Sequence, residues 1–277
     1  MPAFPVLIST LAATAFLVAA GSSLGAGWLS GVIAGVAFLV SPLLWSDTVP
    51  PAALYPLPFV AAWLCASSVL VQRRDLPWTV AAGAALGAGV YVSAPSAVMM
   101  PAYAVLTIAV LAPSRILSMR QWSVFLVAFL VLAAPLAARW MMQPSVYREL
   151  VLSHHLYDAN RFNVLQGIRE VTSWVGLTAR SEVFWDYLNP AFLFVTGRVL
   201  SWPLLVLVPV GIYAIVARDV PLAGRLACAA FFIAPLAASL PADPPMRTRI
   251  AWILPAASLL SAYGVEFIRG LGRGRTA

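Results

Sequence analysis

Lysine is absent from this chain, cysteine and histidine occur twice each, and charged side chains of any kind make up only 10% of its 277 residues. Each shortage excludes something. A water-soluble domain of this size would expose more surface than so few charges cover, whereas a bilayer solvates an apolar exterior. The two cysteines, Cys65 and Cys228, fall inside apolar runs and form no CxxC pair, so they read as packing residues. No HExxH, glycine-rich phosphate loop or GxSxG elbow is present, which leaves soluble nucleotide-dependent chemistry without a motif. The histidines are neighbours, His154 and His155. On a helix, adjacent side chains point about 100° apart and rarely hold one ion. The pair reads as solvated or substrate-facing; no cofactor is indicated, and a divalent metal stays open without a ligand set in the sequence to support it.

What is there is hydrophobic. The residues AVILMFWYC supply 62% of the chain and the mean hydropathy is +0.90. A span needs roughly 20 apolar residues, with roughly 17 adequate. Nine segments meet or approach that length, at about 4–20, 26–43, 51–71, 78–94, 96–112, 122–141, 199–217, 222–240 and 250–268. The fold expected is all-α and integral to the membrane, a polytopic bundle of about nine transmembrane helices with an extracytoplasmic amphipathic-helix segment. Only Ala94-Pro95 separates the fourth and fifth segments, but together they are too long for one helix. Small residues crowd the fourth (Ala81, Ala82, Gly83, Ala84, Ala85, Gly87, Gly89), which suits close helix packing. Three regions follow: an N-terminal transmembrane bundle, 1–142; an extracytoplasmic interfacial segment, 143–198; and C-terminal helices with a basic tail, 199–277.

All 17 basic residues are arginine, and the net charge is +7. They are scattered through interhelical loops with no basic, aromatic-laced run, so nucleic acid is rejected as a partner. Arg73-Arg74, Arg115 with Arg120, Arg218, and Arg269/Arg273/Arg275 fall on one side if the spans alternate. That side is cytoplasmic by the positive-inside rule, placing 143–198 and 241–249 outside. The location expected is the cell (plasma or inner) membrane, multi-pass. By the same parity the first span runs from outside to inside, so the chain reads as one whose first in-to-out helix is absent.

Segment 143–198 gathers both histidines, five arginines and the acids Glu149, Asp158, Glu170, Glu182 and Asp186. From Arg161 to Val175 the apolar positions 162, 164, 165, 168, 171, 174 and 175 fall on one helical face. Such a Trp-bearing amphipathic helix beside a membrane lies in the interface plane, as a roof over a cavity or as a passive surface helix. Aromatics and a Pro break mark Phe184–Gly197 just before a span. The last outer loop, Pro241–Arg249, carries Arg247 and Arg249 on the side that should be poor in arginine. They are either solvated or placed to capture an anion at the outer leaflet, since Arg pairs bidentately with phosphate.

These segments, in this order, resemble the GT-C fold glycosyltransferases, in the branch holding protein O-mannosyltransferase-like and lipid A aminoarabinose transferase-like enzymes. Ser41-Pro42-Leu43-Leu44-Trp45-Ser46-Asp47 is similar to the family's Ser-Pro closure of an early helix. Ala82–Val92 resembles its Gly-rich helix ending in an aromatic, and Asp186–Phe194 its Tyr-Leu, Pro, Phe-Leu-Phe stretch. Arg249, six residues before Pro255, matches its closing Arg motif. The resemblance spans nearly the whole chain, through loose motifs. It departs from the family at three places: a first helix with its acidic outer loop is missing, Met246 stands where a His is frequent, and Asp47-Thr48 where an Arg is common.

The resemblance implies inverting transfer of a sugar from a polyprenyl-phosphate donor to an extracytoplasmic glycan, lipid or protein acceptor, among membrane lipids. Asp47 would be the catalytic general base. Arg247 and Arg249 would bind the phosphate, with His154, His155 and Tyr187 as further substrate-binding residues. Asp47 could instead simply open a turn beside Pro50. Two other readings stand beside this one, a transporter or flippase-like permease and a non-enzymatic membrane subunit. No internal repeat favours the first; the missing acidic loop favours the second.

Overall fold

A computed structural model of the protein describes residues 4–23, 27–93, 95–142, 169, 172–217, 221–241 and 243–273. Among these residues the chain is all-helical, without a strand. Its helices are α1 (Phe4–Ser23), α2 (Trp28–Leu39), α3 (Leu57–Arg73), α4 (Leu76–Gly89), α5 (Ser96–Leu111), α6 (Met119–Met142), α7 (Trp174–Leu188), α8 (Leu204–Ala217), α9 (Leu222–Ile233), α10 (Leu236–Ser239) and α11 (Ile253–Arg273). Four stretches, Pro5–Ser23, Pro51–Arg73, Met119–Arg139 and Leu222–Ser239, are long and apolar enough to cross a membrane. Trp28–Leu39, Ser96–Leu111 and Leu204–Ala217 are apolar but shorter. The architecture is compatible with a helical membrane protein.

Each of the nine hydrophobic segments holds a helix. The closely spaced fourth and fifth are two helices, α4 and α5, separated by a turn in which the Ser93 and Ser96 hydroxyls lie 2.7 Å apart. The second segment is shorter than its hydropathy implied, because proline ends it. Ser41, preceding Pro42, is extended (φ −69°, ψ 123°), and Pro42–Trp45 forms a short 3-10 turn instead of prolonging α2.

Close backbone approach binds the helices. At Gly83 and Gly87 of α4, a Cβ would come within 2.4 Å of the Phe125 carbonyl oxygen and 2.6 Å of that of Phe129, both in α6. Gly211 of α8 and Gly264 of α11 leave similarly little room, against the carbonyls of Leu260 and Leu207. Where neighbouring helices and lipid are equally apolar, such contacts supply packing that burial alone does not. The chain entering α11 is buried on every side, from Ile250 through Leu254, Ala257 and Leu260, so it forms the bundle's axis. Peripheral α6 instead exposes Val127, Leu130 and Val131. One apolar core runs from Val6 to Ala262, uniting helices of 1–142 and 199–277. Inside it, the Trp63 indole N–H donates to the Thr107 hydroxyl at 3.0 Å, and the ring stacks on Tyr103.

The bundle has two distinct ends. At one, Leu70, Leu111 and Leu117 form a small cluster with Leu222 against it, and the Gln121 amide donates to the Arg74 carbonyl at 2.6 Å. Arg73 closes α3, Arg74 and Arg115 lie in the connecting loops, and Arg120 opens α6 at this end. The loops at the other end carry the candidate site.

Candidate functional site

Three segments distant in sequence meet at that second end. The first is a turn closed by Val49 N–H donating to the Ser46 carbonyl at 3.1 Å, with Asp47 and Thr48 at its centre. Pro42 and Pro50 fix the chain on either side, and the Ser46 and Thr48 hydroxyls lie 3.0 Å apart. Asp47 is exposed, and no hydrogen bond or ion pair engages its carboxylate among the described residues.

The second segment is the loop before α11. Pro244-Pro245 keep it extended through Met246, and Arg247–Arg249 then form one 3-10 turn. The two arginines point to different partners. Arg247 donates to the Thr48 hydroxyl, which joins this loop to the Asp47 turn. Arg249 forms an ion pair with Asp243 at 3.0 Å, with both side chains about one-third exposed.

The third segment is α7 and the turn after it. The Ser173 hydroxyl accepts from Gly176 N–H at 3.1 Å and caps α7. Arg180 of α7 donates to the Leu240 carbonyl at 2.9 Å, at the start of the arginine loop. Tyr187, fully buried and edge-on to Phe192, accepts from Met246 N–H at 3.1 Å. The Arg249 charge lies near enough to act on this phenol. Burial raises the Tyr187 phenol above its ordinary value and the Asp243 charge adds to this, while the Met246 N–H and Arg249 act in the opposite sense.

Of the residues singled out from sequence, the structure brings Arg247 against the neighbour of Asp47, while Arg249 pairs with Asp243. Tyr187, singled out as substrate-binding, touches the loop through a buried hydroxyl. His154 and His155 lie outside the described residues, as does most of the amphipathic stretch 161–175. That stretch does not continue as one helix to Val175, because Ser173 is extended (φ −64°, ψ 155°) and starts α7 afresh. Sequence reading missed Thr48, Asp243 and Arg180 as partners. A Ser preceding Trp174 was a capping signal; the long-range contacts of Thr48 and Arg180 carried none.

Beside the bundle, a groove of about 700 Å³ runs between α1, α3 and α4. Ile8, Phe16, Tyr55, Phe59, Trp78 and Val92 are among its almost wholly apolar walls. Among the described residues, no three His, Cys, Asp or Glu side chains group closely enough to hold a metal ion. Compared with known proteins, the chain matches no family model, no curated protein and no solved structure.

Proposed function

We propose that the protein is a multi-pass transferase of the cell membrane that moves a sugar from a polyprenyl-phosphate donor to an acceptor hydroxyl at the outer face. Nine crossings would put the helix ends and loops bearing Arg73, Arg74, Arg115 and Arg120 inside and the Asp47 turn and arginine loop outside, in accord with the positive-inside rule. The observation that carries the reading is the contact of Arg247 with Thr48, which sets a carboxylate-bearing turn beside a pair of arginines. Acid and cation from separate loops at one end of an apolar bundle suit a reaction in which a phosphate leaves and a hydroxyl attacks.

The chemistry is an in-line displacement. The acceptor oxygen bonds to the anomeric carbon as the bond from that carbon to the phosphate oxygen breaks. Asp47 takes the acceptor proton, and positive charge from the arginine loop stabilises the charge gathering on the departing polyprenyl phosphate. The groove along α1, α3 and α4 offers an apolar path for the donor's chain. Membranes carrying the full chain, supplied with a radiolabelled polyprenyl-phosphate hexose, should move label from lipid to acceptor. Asp47→Asn should slow this by about a hundredfold or more, the scale of a lost general base. Equal rates from wild type and Asp47→Asn would remove Asp47 from the reaction.

The pairing of Arg249 with Asp243 favours a second reading, a non-enzymatic membrane subunit whose loop is simply braced. Label transfer no greater than in membranes lacking the chain would select it.

A further inference from the structure

Arg247 and Arg249 share one 3-10 turn, yet their electrostatic surroundings differ. The Arg249 guanidinium is 3.0 Å from an Asp243 carboxylate oxygen. A phosphate approaching Arg249 would stand beside that carboxylate, and like charges a few ångströms apart repel. Arg247 instead meets the Thr48 hydroxyl, a neutral partner with the Ser46 hydroxyl 3.0 Å beyond it. Hydroxyls can turn from accepting to donating, so this cluster can present an arginine fork and two O–H groups to phosphate oxygens. Asp47 adjoins Thr48 but forms no ion pair with Arg247, which leaves its carboxylate for the acceptor.

We propose that Arg247, with the Thr48 and Ser46 hydroxyls, binds the phosphate of the lipid donor, and that Arg249 is a positioning residue held by Asp243. This division rests on the transferase reading above. The Met246 N–H, next to the turn, donates to the Tyr187 hydroxyl and ties the loop to α7, while the Arg249–Asp243 pair holds the turn from which Arg247 reaches the Asp47 turn.

The test uses the full chain in phosphatidylcholine nanodiscs, with farnesyl monophosphate and uncharged farnesol as probes. Binding is followed by intrinsic tryptophan fluorescence. Wild type should prefer the phosphate over the alcohol by about tenfold or more, the gain from one charge-assisted phosphate contact. Arg247→Ala should erase that preference while leaving farnesol affinity unchanged. Arg247→Gln, which removes the charge but can still hydrogen-bond to Thr48, should do the same and stands in if the alanine variant fails to fold. Arg247→Lys should keep part of the preference, because a point charge still attracts phosphate.

Asp243→Asn separates the two arginines by the sign of its effect. If Asp243 only braces Arg249, the exchange weakens phosphate binding or leaves it unchanged. If Arg249 were the phosphate ligand, removing its competing carboxylate would tighten binding. Tighter binding by Asp243→Asn, or full phosphate preference in Arg247→Ala, would overturn the division while leaving the transferase reading standing. No phosphate preference in wild type would overturn both.

Discussion

Arg247 and Thr48, 199 positions apart in the chain, are in direct contact: the guanidinium donates to the hydroxyl. This contact joins the turn after α2 to the loop before α11, and it brings together two loops that the sequence keeps at opposite ends of the chain.

Tyr187 should act as a peg for the arginine loop. Tyr187→Phe removes the acceptor of the Met246 N–H and leaves a partly buried donor unmatched. An unsatisfied group of this kind costs about 1–3 kcal/mol. Thermal unfolding should begin at lower temperature than in wild type, and protease cutting within 243–249 should quicken. Unchanged melting and cutting would show that the hydrogen bond does not hold the loop.

The same peg predicts a pH limit. Burial raises the phenol of Tyr187, so the folded state keeps its proton where the unfolded chain releases it. The associated stability is full below the unfolded value of about 10, and is lost as pH rises through the folded one. Wild type should therefore lose more melting temperature than Tyr187→Phe above about pH 10. Parallel pH profiles would contradict this.

Helix packing gives a separate forecast. Gly87→Leu forces a side chain against the Phe129 carbonyl, already 2.6 Å from where a Cβ would sit. Overpacking of this kind costs about 1–3 kcal/mol, and α4 and α6 should separate. Gly27→Ala is the control for spatial crowding, since nothing lies within 4 Å of its Cβ position, although its φ of +82° adds backbone strain of its own. A melting temperature for Gly87→Leu at or above that of Gly27→Ala would place the close contact elsewhere.

The helices were legible because hydropathy alone locates them; each of the nine apolar segments contains one. The Gly83/Gly87 surface was legible too, since small residues four apart line one helical face. Helix ends were less so. Pro42 cut α2 short of the predicted position 43, and Ser173 interrupted an amphipathic pattern that ran on through Val175. The site divided along another line. Asp47, Arg247 and Arg249 could be named from residue type and loop position. Their partners could not, because the contacts of Thr48 with Arg247 and of Arg180 with Leu240 arise from how the helices pack. Asp243 lies only six residues before Arg249, yet an arginine in an outer loop reads equally as a free cation or as half of an ion pair. Only the fold decides between them.

Whether the Asp47 turn and the arginine loop form one site on the outer face is tested by a cysteine pair, Thr48→Cys with Arg247→Cys, in a chain whose Cys65 and Cys228 are replaced by alanine. The two new thiols should form a disulfide on mild oxidation, and a membrane-impermeant reductant should open it in intact cells. Failure to cross-link, or a disulfide reducible only after the cells are permeabilised, would contradict the outward-facing site.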